Sequence, residues 1–408
     1  MILINTSKNS QLKILFSAII FLITATFFTS QPIDRSVTIS SATAFWIIGL
    51  LLIPIFIKNG YIEEKEKVLY LLGFSAFLIS VISWLNSDYY NGVFSVIEPD
   101  LRFLLFPLTV IAVRYSNLTF RHLSYALLLG SIAYTYITIY SPTARVSGDE
   151  NAVTFGNGAM LLAVITSCLA YFEKNRITKI FIIIAAVGYF YASYKSGTRG
   201  SFLALPPLTL LFLYFMTNKM RFALIFLLAI SVVGLSQTYM ANRFFLATNN
   251  FINFFEEEKT GTSTGQRLSM WEAALCFHRD SPLLGKGPHQ YKNAILDEKR
   301  TCKITIHNYK GYYSQAHSFY FNSLATVGLI GLSAMLAFFI YLGYYSWSLP
   351  IIAKVTITAT LLTFLSYGIT VDLFFHRYMA DKHLTLLGIL LGLALNHQQR
   401  QPGSKHEL

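Results

Sequence analysis

The sequence predicts an all-α polytopic membrane protein with about twelve transmembrane helices and one long outer loop containing helices. Three observations predict it. Apolar runs recur from one end of the chain to the other, most of them near the length needed to cross a bilayer. Charged residues make up only 13% of the chain, against 54% hydrophobic residues, about half the charge of an ordinary soluble domain. The basic residues gather at the ends of the runs and favour one side, as cytoplasmic anchoring requires. The net charge of +12 is therefore read as membrane anchoring, and no nucleic-acid partner is expected.

The candidate spans are 14–30, 40–57, 68–85, 101–115, 122–141, 152–172, 177–194, 200–217, 221–238, 317–346, 350–371 and 383–396. The first follows Lys8 and Lys13 and lacks a small-x-small cleavage site, so it is read as an uncleaved span. The fourth is short and carries Arg102 and Pro107. The tenth is long and holds Gly328 and Gly331, which a membrane helix tolerates. With the N-terminus inside, the inner segments hold fifteen basic residues and the short outer segments seven. Both termini are then cytoplasmic.

Four regions follow: 1–238 with nine spans, a long periplasmic loop over 239–316, three spans over 317–396, and a cytoplasmic tail over 397–408. The loop opens with the aromatic stretch Arg243 to Phe255, which suits an amphipathic helix in the interface. A second helix is expected to start with Ser263 or Thr264 as its N-cap and to stop before Pro282. Arg267 and Trp271 share one face of it, and Gly285 and Gly287 make a turn. The sequons at Asn5 and Asn117 and the final Lys-His-Glu-Leu fall on the cytoplasmic side, where neither signal is read.

Several residues could carry chemistry. Arg199, in Lys-Ser-Gly-Thr-Arg-Gly beside Lys195, is either a headgroup anchor or an anion site, because a membrane-edge arginine needs a partner. Arg267 is either a solvated charge or part of an anion cluster with Arg279, Lys286 and Lys292, whose fork suits phosphate. Gly-Lys-Gly at 285–287 lacks the spacing of a nucleotide P-loop. His317, at the mouth of span ten, is either a helix cap or a general base. Asp372, at the outer end of span eleven, can pair with an arginine or orient a catalytic group. Cys276 and Cys302 share the outer loop and can pair if that face is oxidising; Cys168 lies in span six. The cysteine spacing gives no metal site.

Three stretches together resemble a known family: Ser-Gly-Thr-Arg-Gly at 196–200, TGQRLSMWEAAL at 264–275 with PLLGKGPHQY at 282–291, and AHSFYFNSLATVGLIGL at 316–332. In order, spacing and sidedness they resemble the O-antigen ligases of the Gram-negative inner membrane, within the larger ligase and polymerase superfamily. The family usually has His-Asn where this chain has His317-Ser318, with Asn322 further on.

The resemblance implies a GT-C-like helical fold and a glycosyltransferase acting in lipopolysaccharide biosynthesis. The donor would be O-antigen polysaccharide on undecaprenyl pyrophosphate, the acceptor a sugar hydroxyl of lipid A–core. It implies catalytic roles for Arg199, Arg267 and His317 and a role for Asp372; Lys195, Lys286, Asp372 and Arg102 are the substrate-binding candidates. Transfer would be inverting and metal-independent, with no cofactor, in a monomer or weak oligomer among membrane lipids. The alternative is an O-antigen polymerase, which extends lipid-linked repeats. A polysaccharide flippase fits less well, because internal repeats are not apparent and the suspicious charges sit on the outer face rather than at mid-membrane.

Overall fold

The computed structural model describes residues 6–58, 62–90, 92–143, 145–149, 151–215, 245–246, 248–254, 261–297, 313–374 and 377–400. It is all-helical, with no strand among these residues. The spans form α1 (Thr6–Ser30), α2 (Arg35–Lys58), α3 (Glu64–Leu85), α4 (Leu101–Tyr115), α5 (Phe120–Tyr140), α6 (Ala152–Phe172), α7 (Arg176–Lys195) and α8 (Leu205–Phe215). The outer loop contributes α9 (Ser263–Asp280) and α10 (Tyr291–Leu296). Then come α11 (Phe319–Thr326), α12 (Gly328–Ser346), α13 (Ile351–Tyr367) and α14 (Arg377–Arg400). Among the described residues, eight helices are long and apolar enough to cross a membrane, and the helices over Gly200–Phe215 and Ile351–Tyr367 are shorter apolar ones. Expected span nine, 221–238, lies outside the described residues.

Contacts between loops and helix ends sort into two faces. At one end, the Asp149 N–H donates to Pro32 (3.2 Å) and the Val146 N–H to Lys195 (3.4 Å). The Ser87 hydroxyl donates to Lys286 at the same end. At the other, Arg114 pairs with Glu66, and the Asn396 amide donates to Ser116 and Leu118. This is the alternation that an even number of crossings requires. The first turns of α1 and the end of α14 share the second face, since the Asn117 N–H donates to Ser17. That face is called the closed face below, and its opposite the loop face.

Two helices are enclosed by the rest. The apolar windows of α6 and α14 are 83% and 100% buried, against 28–44% for the other long spans. Those others turn leucine and isoleucine outward, as at Leu51, Ile132 and Ile177, which is the pattern of helices facing lipid.

The start of α14 differs from the sequence expectation. Span twelve was placed at 383–396, with Lys382 in an outer loop. The helix instead begins at Arg377, and Asp381, Lys382 and His383 are all buried within the bundle. Charges at membrane depth are tolerated only where protein satisfies them. Asp381 does so by accepting from Arg102 Nε at 2.5 Å. Arg102 also donates to the Glu98 carbonyl and lies over the Trp46 ring at 5.2 Å. Expected among the substrate-binding residues, Arg102 is 2% exposed and committed to the bundle interior.

Span ten also differs. It is expected as one helix, yet it breaks at Val327–Gly328 into α11 and α12. A helix break strands carbonyls on one side and N–H groups on the other. Here the 282–287 turn takes up both sets. The N–H groups of Lys286 and Gly287 donate to Ala325 and Thr326 (2.9 and 2.8 Å). The N–H groups of Leu329 and Ile330 donate to Pro282 and Leu283 (3.0 and 3.2 Å). Gly285 and Gly328 adopt positive φ of 66° and 70°, and a Cβ on either would meet the other strand's backbone within 2.7 Å. The Gly-Lys-Gly turn thus has a structural reason that no phosphate is needed to explain.

Removing one partner of a buried ion pair leaves an uncompensated charge. Asp381→Asn is expected to destabilise the bundle by roughly 3–5 kcal/mol, and the paired change Arg102→Met with Asp381→Leu by much less. Thermal unfolding in detergent measures both; equal losses would contradict a buried pair.

Candidate functional site

The Ser-Gly-Thr-Arg-Gly turn is assembled from its own hydroxyls. Ser196 follows the last residue of α7, and its hydroxyl donates to the Ser193 carbonyl (2.6 Å). The Thr198 hydroxyl donates to the Ala152 carbonyl at the start of α6 (2.8 Å). The Ser201 hydroxyl reaches back to the Thr198 carbonyl (2.7 Å). Gly197 turns the chain at φ 64°. Ser196 to Thr198 are buried, which fixes the backbone, and Arg199 stands half-exposed at the end. Lys195, one residue before the turn, is exposed.

Arg199 Nη2 donates to the Ser263 hydroxyl at 3.3 Å. Ser263 is the first residue of α9, whose N-cap Thr262 accepts from the Gly265 N–H. Arg267 lies one helical turn after Ser263, so α9 delivers it beside Arg199. A third arginine joins them. Arg145 Nε donates to the Ser196 carbonyl at 2.8 Å, which stitches its loop to the turn carrying Arg199.

The electrostatics agree with this grouping. Burial holds the Arg267 guanidinium below its ordinary range, and the charges of Arg199 and Arg145 lower it further. Three guanidinium groups and the amides of a helix N-terminus make a strongly anion-attracting locus.

His317 is positioned from both sides. Its neighbour Ala316 is fully buried. The Ala316 carbonyl accepts from Trp271 Nε1 (3.1 Å), and its N–H donates to Asn322 Oδ1 (3.0 Å). Asn322 Nδ2 in turn donates to Asp372 Oδ2 (2.5 Å), while Asp372 Oδ1 accepts from the Phe374 N–H (3.0 Å). Trp271 stacks on Phe321 at 4.8 Å. On the far side, the Phe319 N–H donates to the carbonyls of Gly368 and Val371. His317 is left exposed in the left-handed region, at φ 48°. A non-glycine residue pays for that geometry only where its surroundings enforce it. Because Arg267 and Trp271 are four residues apart on α9, one helix sets both the arginine and the histidine.

The site residues expected from sequence thus fall into different settings. Arg199 and Arg267 come together, and His317 is tied to the same helix. Asp372 is buried and holds Asn322. Lys286 Nζ lies 3.7 Å from Asp280, and Arg102 is inside the bundle. Two members escaped sequence reasoning. Arg145 reads as a lone loop arginine, although it was counted on the outer face. Asn322 stands away from the histidine in sequence but supports the residue beside it. The expected N-cap, Ser263 or Thr264, proves to be Thr262, one residue earlier.

Cys276 is disulfide-bonded, and Cys168 is free and buried. Cys302, the partner expected from sequence, lies outside the described residues. Among the described residues no group of three or more histidine, cysteine or acidic side chains could hold a metal ion.

Residues 181–336 match the family model described as "O-Antigen ligase". The match is consistent with the O-antigen ligase and polymerase superfamily, and it contains Arg199, Arg267 and His317. Arg145 and Asp372 lie beyond it. The chain is also similar to a Haemophilus influenzae protein described only as uncharacterized. The two are 25% identical over 312 residues, 71% of this chain and 75% of that protein.

Two measurements test the scaffold. Trp271→Phe keeps the stack on Phe321 but removes the donor to Ala316. A hydrogen bond of this kind is worth about 1 kcal/mol, so faster amide exchange over residues 316–319 is expected with the fold intact. Asp100 lies with Asp372, Asn322 and His289 around a cavity of about 30 Å³, where burial pushes its carboxyl up from 3.8 to about 7. The folded state then holds a proton that the unfolded state has released. This contribution to stability is complete below about pH 3.8 and is lost as pH rises through 7. Thermal stability followed across that window is expected to lose part of its downward slope in Asp100→Asn; an unchanged slope would refute the assignment.

Proposed function

We propose that this protein is an O-antigen ligase, which transfers a polysaccharide from undecaprenyl pyrophosphate to a sugar hydroxyl of lipid A–core. The observation that carries the reading is the convergence of Arg145, Arg199 and Arg267 on the end of α9 that also fixes His317. A diphosphate is the leaving group such a cluster suits, and the match over 181–336 supports the same class of reaction.

In this reading the donor lies with its pyrophosphate among the arginines and its polyprenyl chain in the bilayer. The acceptor hydroxyl attacks the anomeric carbon from the side opposite the pyrophosphate. The C–O bond to phosphate breaks, and its electron pair passes to the pyrophosphate oxygen. Arg199 and Arg267 stabilise that growing charge, which is the main electrostatic demand of the step. The hydroxyl proton passes to the His317 imidazole. Displacement on this path inverts the anomeric centre. The arginines supply the positive charge the step needs, so no metal is assigned a role. Lys195, exposed beside the arginine turn, is assigned to attracting the anionic donor.

The sidedness supports a periplasmic site in a Gram-negative inner membrane with both termini cytoplasmic. The basic residues favour the closed face, and the bonded Cys276 suits an oxidising compartment. The second reading, an O-antigen polymerase, shares the donor and differs in taking a second lipid-linked glycan as acceptor.

The test is a lipopolysaccharide gel from a deletion strain complemented with wild type, Arg199→Ala, Arg267→Ala or His317→Ala. Each variant is expected to lose transfer by roughly 100-fold or more while still inserting, with long glycan stranded on the carrier. Wild-type capping by Arg267→Ala or His317→Ala would sink the mechanism. Single repeats on the core in the deletion strain would make the protein the polymerase.

A further inference from the structure

A second cavity lies at the closed face, at the end of the bundle opposite the arginines. It has a volume of about 300 Å³, the lower end of the range for small-molecule sites. Its walls come from the first turns of α1 and the closed-face ends of α2, α4 and α14. Lys13, Phe56, Arg114, Tyr115, Asn117 and Gln399 are among the lining residues.

The charges around it are unequal. Arg114 is matched from behind by Glu66, whose two oxygens lie 2.9 and 2.8 Å from Arg114 Nη1. Glu66 also accepts from the Tyr70 hydroxyl and the Glu63 N–H, so its carboxylate is fully used. Lys13 has no such match. Its ammonium lies over the Tyr115 ring at 6.0 Å, and among the described residues no carboxylate comes within salt-bridge distance of it. The cavity therefore offers one cation, Lys13, that lies outside any ion pair among the described residues.

Its flank is apolar and faces outward. Leu12 and Leu15, on either side of Lys13, are 66% and 60% exposed. An anion entering here can keep hydrocarbon tails in the bilayer while its charged head reaches Lys13. Basic pockets between membrane helices on this side take phosphate-bearing lipid headgroups for this reason.

We propose that this cavity binds the phosphodiester headgroup of an anionic phospholipid, with Lys13 as the principal charge. The site is separate from the glycan-transfer site and does not rest on that reaction. Lys13 is exposed, so its replacement leaves the core untouched.

The full-length protein in detergent, mixed with phosphatidylglycerol or with phosphatidylethanolamine, tests this by native mass spectrometry. Wild type is expected to retain phosphatidylglycerol preferentially, and Lys13→Glu to weaken that retention by roughly tenfold. Lys58→Glu changes a nearby basic residue outside the cavity lining and is expected to behave as wild type. Undiminished retention by Lys13→Glu overturns the site. Equal loss in both variants reduces it to general surface attraction. Displacement of the lipid by inorganic phosphate overturns the lipid as ligand and leaves a free-phosphate site.

Discussion

The break in the tenth span, and the turn that satisfies it, is the constraint on which the loop-facing half of the molecule depends. Hydrocarbon offers no hydrogen bonds, so a helix interrupted at Val327–Gly328 stands only if protein supplies its missing partners. The 282–287 turn supplies them on both sides of the break. This pins the outer loop to the bundle through backbone contacts rather than through side chains alone. It also holds α9 against α11, where the mid-helix Trp271 lies beside Ala316. The position of His317 thus descends from a backbone requirement some ten residues away.

Gathering three arginines is unfavourable by itself: Arg199 and Arg145 add to the burial that already lowers the proton affinity of Arg267. The chain holds them by independent means. Arg199 leaves a turn locked by the hydroxyls of Ser196, Thr198 and Ser201. Arg145 is tethered through its own Nε, and Arg267 rides on a capped helix. Repulsion stored in a rigid frame is relieved by a polyanion, so the site is organised for a ligand before one arrives.

Much of this was legible in the sequence, for identifiable reasons. Length and hydropathy mark most spans, because a bilayer sets both. Charge bias assigns the faces, and the contacts at each end show which helix ends share one. Ser-Gly-Thr-Arg-Gly, the α9 stretch and the histidine region were singled out as belonging together. What stayed hidden was tertiary. Arg145 reads only as one of the basic residues of the short outer segments until its tie to Ser196 is seen. Asn322 and Asp372 are fifty residues apart, and no local period links them. The break in span ten is invisible because glycines in a membrane helix are equally compatible with continuity. Asp381 and Lys382 were set outside the bilayer because hydropathy scales cannot tell a lipid-facing position from a protein-facing one.

The enclosed position of α14 bears on biogenesis. This helix follows every other described helix in the chain, yet it is the one most surrounded by the others. Its residues join α4 through Asp381 and Arg102, α13 through His383 and Tyr367, and the α4–α5 connection through Asn396. Before α14 is present, Arg102 has the Glu98 carboxylate 3.6 Å away but lacks the closer Asp381. The described bundle is therefore completed from the outside inward, because its most enclosed helix comes after the helices that surround it. A chain interrupted before α14 therefore leaves Arg102 inside the bundle without its nearest carboxylate, Asp381.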